Sequence, residues 1–252
     1  MIVVENIKKS FAEQSVLKGI SAEFYPGQCN LVIGTSGAGK TVFLKCLVGL
    51  HKPDSGNILY SDRKFNALKA KEQKKLRQEM GMLFQGNALF DSMTVEENIR
   101  FPLDMFTSKS DEEKRSRVQE CLQKVNLTGA GKKYPGEISG GMMKRVGIAR
   151  AIVMEPKYLF CDEPNSGLDP KTALVIDELI RELTIENNIT TVINTHDMNS
   201  VMGIGDKVTF LHQGLKHWEG SKDDILSSDN KELTDFIFAS DFLKQLRNKA
   251  NL

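Results

Sequence analysis

The octet Gly34-Thr35-Ser36-Gly37-Ala38-Gly39-Lys40-Thr41 brings three glycines, a lysine and a hydroxyl together at the G-x-x-x-x-G-K-[S/T] spacing that wraps a chain of phosphates. Glycine lets successive backbone N–H groups turn inward on an anion, and a helix starting at Lys40 adds the positive end of its dipole. Lys40 then offers a cation to the terminal phosphates, and Thr41 offers an oxygen to a hard cation such as Mg²⁺. The octet predicts a nucleotide site in which residues 34–41 all take part.

A second chemical group stands at Tyr158-Leu159-Phe160-Cys161-Asp162-Glu163, an apolar strand ending in two carboxylates. The carboxyl edge of a parallel sheet is where ligands bind, so the acid pair is expected beside the octet. Asp162 is suited to hold Mg²⁺ through water, and Glu163 to polarise the water that attacks a γ-phosphate. A third feature, Ile138-Ser139-Gly140-Gly141-Met142, sets a hydroxyl and two glycine amides at a helix start, a second anion site. Two phosphate-binding helix starts in one chain make sense if each nucleotide is clasped between two copies.

The elements that must carry these groups follow from hydrophobic spacing. Cys29 to Ile33 reads as a buried strand entering the octet and Val42 to Leu50 as the helix leaving it. Short β runs at Ile2 to Ile7, Val16 to Ile20 and Asn57 to Tyr60 predict a mixed β start. Lys64 to Glu79 is charged and anchored by Leu68 and Leu76, the pattern of a solvated helix or loop, and Met80 to Phe84 is a compact strand ending at Gln85. Residues 94–127 form a helical insert: one pattern starts at Thr94 and is expected to be interrupted at Pro102, and another, Asp111 to Val125, lines up Val118, Leu122 and Val125. Then helix (Gly140 to Met154), strand (Tyr158 to Cys161), helix (Lys171 to Asn187) and strand (Thr190 to Asn194) alternate, which predicts parallel strands with helical crossovers. Asp206 to Glu219 predicts a hairpin turning at Gln213-Gly214. Lys231 to Leu252 predicts an amphipathic helix or helix pair with Leu233, Phe236, Ile237, Leu243 and Leu246 on one face, packed on its own domain or against a dimer mate or partner.

Composition narrows the function classes. With 34 Lys and Arg against 33 Asp and Glu, the net charge of +1 provides no global field to attract nucleic acid or an anionic membrane. Cys29, Cys46, Cys121 and Cys161 lack metal-ligand spacing and are expected to be reduced core thiols of a cytosolic protein. Met1-Ile2-Val3-Val4-Glu5 starts as a strand without the pattern of a signal peptide, and no apolar run approaches the ~20 residues that cross a bilayer. A membrane role is expected to come through a partner.

With these motifs in this order, residues 1 to 220 resemble the ATP-binding cassette (ABC) ATPases. The resemblance implies ATP and Mg²⁺ as cofactors and an α/β phosphate-loop fold over residues 1–220: a mixed or parallel sheet core, an N-terminal antiparallel β subdomain and a helical subdomain near 86–155. Residues 221–252 are then a helical tail. It also implies further roles: Phe11 stacks on adenine, Gln85 senses Mg²⁺ and the attacking water, His196 grips the γ-phosphate, and Asp169 links the two sites of a head-to-tail dimer. Met142 departs from the family's usual glutamine and Gly167 from a common alanine. The Met side chain cannot donate a hydrogen bond, so the Ser139 and glycine contacts are expected to survive while the turnover rate and the coupling of closure to a partner are not fixed by the sequence.

The run Ser139-Gly140-Gly141-Met142 with Lys144-Arg145, together with Met82 to Gln85 and Ala88 to Val95, looks like one branch, the ATPases of mammalian-cell-entry (MCE) phospholipid transporters, including the maintenance-of-lipid-asymmetry (Mla) system. That implies an integral membrane permease, a periplasmic lipid-binding MCE protein, phospholipid cargo, no nucleic acid and a place on the cytoplasmic face of the inner membrane. The competing readings are an importer ATPase for amino acids or another small solute, and a soluble ABC ATPase acting on nucleic acid or ribosomes. Against the last stand the single cassette and the lack of sustained heptads. A non-enzymatic scaffold would lack a catalytic group, whereas Lys40, Glu163 and His196 are all present.

Overall fold

Every residue of Cys29–Ile33 is buried, which in a strand means that both faces are covered. The computed structural model, which describes residues 1–225 and 227–238, shows what covers them. This strand, β3, lies in a six-stranded sheet with β6 (Met80–Leu83), β7 (Tyr158–Asp162), β8 (Thr190–Thr195), β9 (Lys207–His212) and β10 (Leu215–Gly220), in the order β10-β9-β3-β8-β7-β6. All pairs are parallel except the β9–β10 hairpin. A second sheet, antiparallel and four-stranded, runs β2-β1-β4-β5 from β1 (Ile2–Phe11), β2 (Gln14–Phe24), β4 (Ser55–Tyr60) and β5 (Arg63–Lys64).

The period-2 alternation of β3 sorts its side chains between two cores. Cys29, Leu31 and Ile33 join Leu159, Cys161, Ile193 and Phe210 in a core shared with α3 (Val95–Phe106), α4 (Asp111–Lys124), α5 (Gly140–Ile152) and α6 (Pro170–Glu186). Val32 points the other way, with Phe160, Val192 and Leu211, toward α1 (Lys40–Leu47) and the antiparallel sheet. Among the described residues the remaining α-helices are α2 (Ala70–Gln78), α7 (Met198–Ile204) and α8 (Lys231–Ile237). All four cysteines are free and buried. Burial pushes the Cys46 and Cys121 thiols up to about 11.

The hairpin turns where expected, with Gln213 and Gly214 both at positive φ. Pro102 does not interrupt the insert: α3 continues through it to Phe106. The missing N–H costs about 3 kcal/mol in a helix interior. Against it stand a Thr94–Glu97 capping box and the burial of Val95, Ile99 and Leu103 in the main core. The charged stretch 64–79 resolves into β5, one 3₁₀ turn and α2, with Leu76 fully buried. Helix α8 is not a separate element. Leu233 and Ile237 are buried in the main core and Phe236 lies against Phe210, so residues 231–238 pack on their own domain. The expected partners Leu243 and Leu246 lie outside the described residues.

Candidate nucleotide site

Strand register fixes the geometry. In β8, Thr195 pairs with Ile33, the last residue before the octet, and Asn194 pairs with Asp162 at the end of β7. The octet and the acid pair thus leave the same edge of the sheet on strands two apart, roughly 10 Å. Thr41, at the start of α1, closes that distance: its hydroxyl donates to Asp162 Oδ1 at 3.0 Å. The sequence-predicted hydroxyl and carboxylate meet.

Gly34, Gly37 and Gly39 all take positive φ. At Gly34 the requirement is absolute, because a Cβ would lie 2.2 Å from the Leu211 carbonyl oxygen on β9. Lys40 is almost wholly buried, and its Nζ donates to the carbonyls of Gly34 (2.8 Å) and Thr35 (3.3 Å) in its own loop. Burial lowers its affinity for a proton, and the carboxylates of Glu163 and Asp162 offset part of that effect. A cation held this way is set to exchange loop carbonyls for phosphate oxygens.

Glu163 sits in the left-handed region at φ 51, a conformation that costs a non-glycine residue about 1–3 kcal/mol and clusters at functional sites. Its N–H donates to the Asn194 carbonyl at 3.0 Å, which fixes the turn. The side chain then turns back over the site: Oε2 lies 2.6 Å from His196 Nδ1 and Oε1 lies 4.0 Å from Lys40 Nζ. His196, just past the end of β8, has a largely exposed ring, while Glu163 is nearly covered. A carboxylate ordered from two sides by an imidazole and an ammonium is suited to accept a proton from water.

Other predicted residues are placed apart from this cluster. Ser139 caps α5 by accepting from Met142 N–H at 3.3 Å and is exposed, as is Gly140. Among the described residues it is not bonded to the octet. Met142 itself packs against the main core, so its side chain serves packing. Asp169 caps α6, accepting from the N–H groups of Lys171 and Thr172, and the Thr172 hydroxyl together with these amides holds its carboxyl below the usual range. Gly167 takes φ 79, which explains why glycine stands there in place of alanine. Phe11 ends β1 with an exposed ring, edge-on to His51 at 5.2 Å. Gln85 is exposed just beyond β6.

Sequence reasoning missed three participants. Asn194 donates to Asp162 Oδ1 at 3.2 Å, while its own Oδ1 is buried without a partner. Lys144, read from the sequence only as part of the run after Met142, is buried on α5 one turn from the apolar Ile148. Asn165 donates to Asp177 Oδ1 (2.8 Å) and Ser200 Oγ (2.9 Å), tying the segment after Glu163 to α6 and α7. Burial pushes the Asp177 carboxyl above its ordinary value although both neighbours donate to it.

The family model described as "ABC transporter" matches residues 17–166. The chain is 39% identical over 236 residues to the "Probable ribonucleotide transport ATP-binding protein mkl" of Mycobacterium leprae (strain TN), a match covering 94% of this chain and 68% of that protein. It is 37% identical over 238 residues to the "Arginine transport ATP-binding protein ArtM" of Bacillus subtilis (strain 168), covering 94% of this chain and 98% of that protein. The fold superposes on a dimeric post-hydrolysis structure of the ATP-binding cassette MJ0796 bound to ADP and Pi, with a TM-score of 0.80 and 31% identity over 88% of this chain and 99% of that one.

Proposed function

From the premise that the chain belongs to the ABC transporter family and hydrolyses ATP, we propose that it powers phospholipid transport through a separate integral membrane permease, acting as a head-to-tail dimer of two copies. Lys40 and the octet hold the β- and γ-phosphates, Glu163 takes the proton of the attacking water, and His196 orients Glu163 and grips the γ-phosphate. Phe11 stacks on adenine. Ser139, Gly140, Gly141 and Asp169 complete the site of the other copy, since Ser139 and the octet sit on separate parts of one chain.

Mg²⁺ fits the donor set. Thr41 and Asp162 bring oxygen donors together, the preference of a hard cation, the amide oxygen of Gln85 would join them on closure, and the unpartnered Asn194 Oδ1 beside Asp162 suits a cation's water shell. Once bound, the ion neutralises charge developing on the β- and γ-phosphates.

The observation that carries the permease reading is an apolar groove of about 450 Å³ lined by Met82, Phe84, Phe90, Phe101, Phe106 and Met154. Phe84 and Ala88 flank Gln85, so an apolar helix seated there touches the segment that carries Gln85 into the site. Leu89, on the same segment, packs inward on the main core while Phe90 is exposed, so the test belongs at Phe90. Among the described residues no helix is long and apolar enough to cross a membrane; on this reading the chain is held at the cytoplasmic face of the inner membrane by the permease.

The phospholipid cargo, and with it a periplasmic MCE partner, rests on the resemblance of residues 82–95 and 139–145. A small-solute importer is the second reading, favoured by the relative named for arginine transport. Purifying the assembly from native membranes separates the two: bound phospholipid with an MCE protein supports the first, and a solute-binding protein with no lipid supports the second. Phe90→Glu is expected to abolish copurification of the permease and leave ATP binding within about twofold. Retained assembly would count against the groove as the docking surface.

A further inference from the structure

Lys144 is 2% exposed, on the face of α5 that it shares with Ile148 and Ala151. Removing an ammonium from water is costly, so a methionine of similar reach would be the cheaper occupant of a purely structural position. Among the described residues Lys144 forms no ion pair. Its Nζ instead donates to the Gln85 main-chain carbonyl at 2.9 Å and lies 3.5 Å from that of Glu163. Burial lowers its proton affinity, with Glu163 and Asp162 among the groups that oppose the shift.

Two other side chains hold the segment that follows β6. Arg150 donates to the carbonyls of Asn87 (2.6 Å) and Ala88 (2.7 Å), and Asn98 brackets Phe90 through its N–H and carbonyl. Those contacts anchor the groove. Lys144 differs because it reaches the backbone of two residues whose side chains serve the nucleotide. It also sits five residues, roughly 7.5 Å, along the helix from Ser139.

We propose that Lys144 is a positioning residue that ties the backbones of Gln85 and Glu163 to helix α5, so that docking of Ser139 against the partner's nucleotide sets both residues in their working places. The inference rests on the reading above that Gln85 and Glu163 act on ATP. It assigns Lys144 to alignment of the hydrolytic step and not to ATP binding, because its contacts are with main-chain carbonyls behind the site and not with the octet.

The test uses the full chain with ATP and Mg²⁺. Lys144→Met keeps length and removes the donor, and Lys144→Arg restores a cation. Misplacement by about 1 Å lowers rates by up to about a hundredfold. Lys144→Met is therefore expected to lose at least about tenfold in kcat, with KM for ATP and the melting temperature nearly unchanged, and Lys144→Arg to recover a substantial part of the loss. In a Glu163→Gln background, Lys144→Met is expected still to dimerise on ATP. Should Lys144→Met not fold, Lys144→Gln, a neutral donor of shorter reach, is expected to show an intermediate kcat at unchanged KM. A kcat within twofold of the parent overturns the proposal, as does a loss shared equally by ATP affinity and melting temperature and not relieved by arginine. Glu163→Gln alone serves as the control: if it hydrolyses ATP normally, the underlying reading of the site has failed and not the inference about Lys144.

Discussion

Glu163→Gln binds ATP, closes the dimer and fails to hydrolyse, with kcat lowered by roughly 10²–10⁴, the range that a positioned general base contributes. The side chain keeps its volume, and its oxygen still accepts from His196 Nδ1, so the 2.6 Å contact and the turn at φ 51 survive. What disappears is the carboxylate that takes the water's proton and the charge that faces Lys40 at 4.0 Å. Affinity for ATP is expected to hold or rise, because removing that negative charge relieves repulsion of the γ-phosphate. Single-turnover hydrolysis beside the nucleotide content of the purified protein measures both quantities. Turnover within tenfold of the parent would assign the base elsewhere.

Lys40→Ala is expected to bring hydrolysis below detection by removing transition-state charge stabilisation as well as phosphate binding. The fold should be unaffected, because among the described residues Lys40 Nζ donates its hydrogen bonds to carbonyls of its own loop, faces Glu163 no closer than 4.0 Å, and its burial opposes the charged form. Titration with a fluorescent ATP analogue should show affinity falling by about 10² or more, the scale of losing a charge-assisted contact in a covered site. The melting temperature should shift by no more than a few degrees. A variant that still turns over ATP would show that the octet's backbone alone supports the reaction.

The chemistry was legible in the sequence wherever it is local. The octet reads from eight consecutive residues, and the acid pair reads from one apolar strand whose last positions are charged. Alternation of strand and helix after residue 140 gave the parallel sheet because each crossover carries its own period. Features set by tertiary contacts stayed hidden. α3 continues through Pro102 because its apolar face is buried in the main core, an effect that no local propensity carries. Helix α7 spans seven residues, too few for a period, and is held by its Asp197 cap and by the bond from Asn165 to Ser200. Leu89 faces inward because Asn87 and Ala88, both at positive φ, redirect the chain just before it. Asn194 and Lys144 stood out only through what lies across from them, Asp162 in one case and the Gln85 and Glu163 carbonyls in the other.

The central claim is that each site is built from Lys40, Asp162 and Glu163 of one copy and Ser139 of another. In a Glu163→Gln background, chains carrying Lys40→Ala lack a phosphate cation at both sites of a homodimer, and chains carrying Ser139→Arg place bulk and charge against both nucleotides. A mixed dimer gathers both defects into one site and leaves the other intact. Light scattering with ATP is predicted to find each variant monomeric alone and a dimer in the mixture. Dimerisation of the Ser139→Arg chain by itself, or a mixture that stays monomeric while the Glu163→Gln parent dimerises, would contradict the shared site.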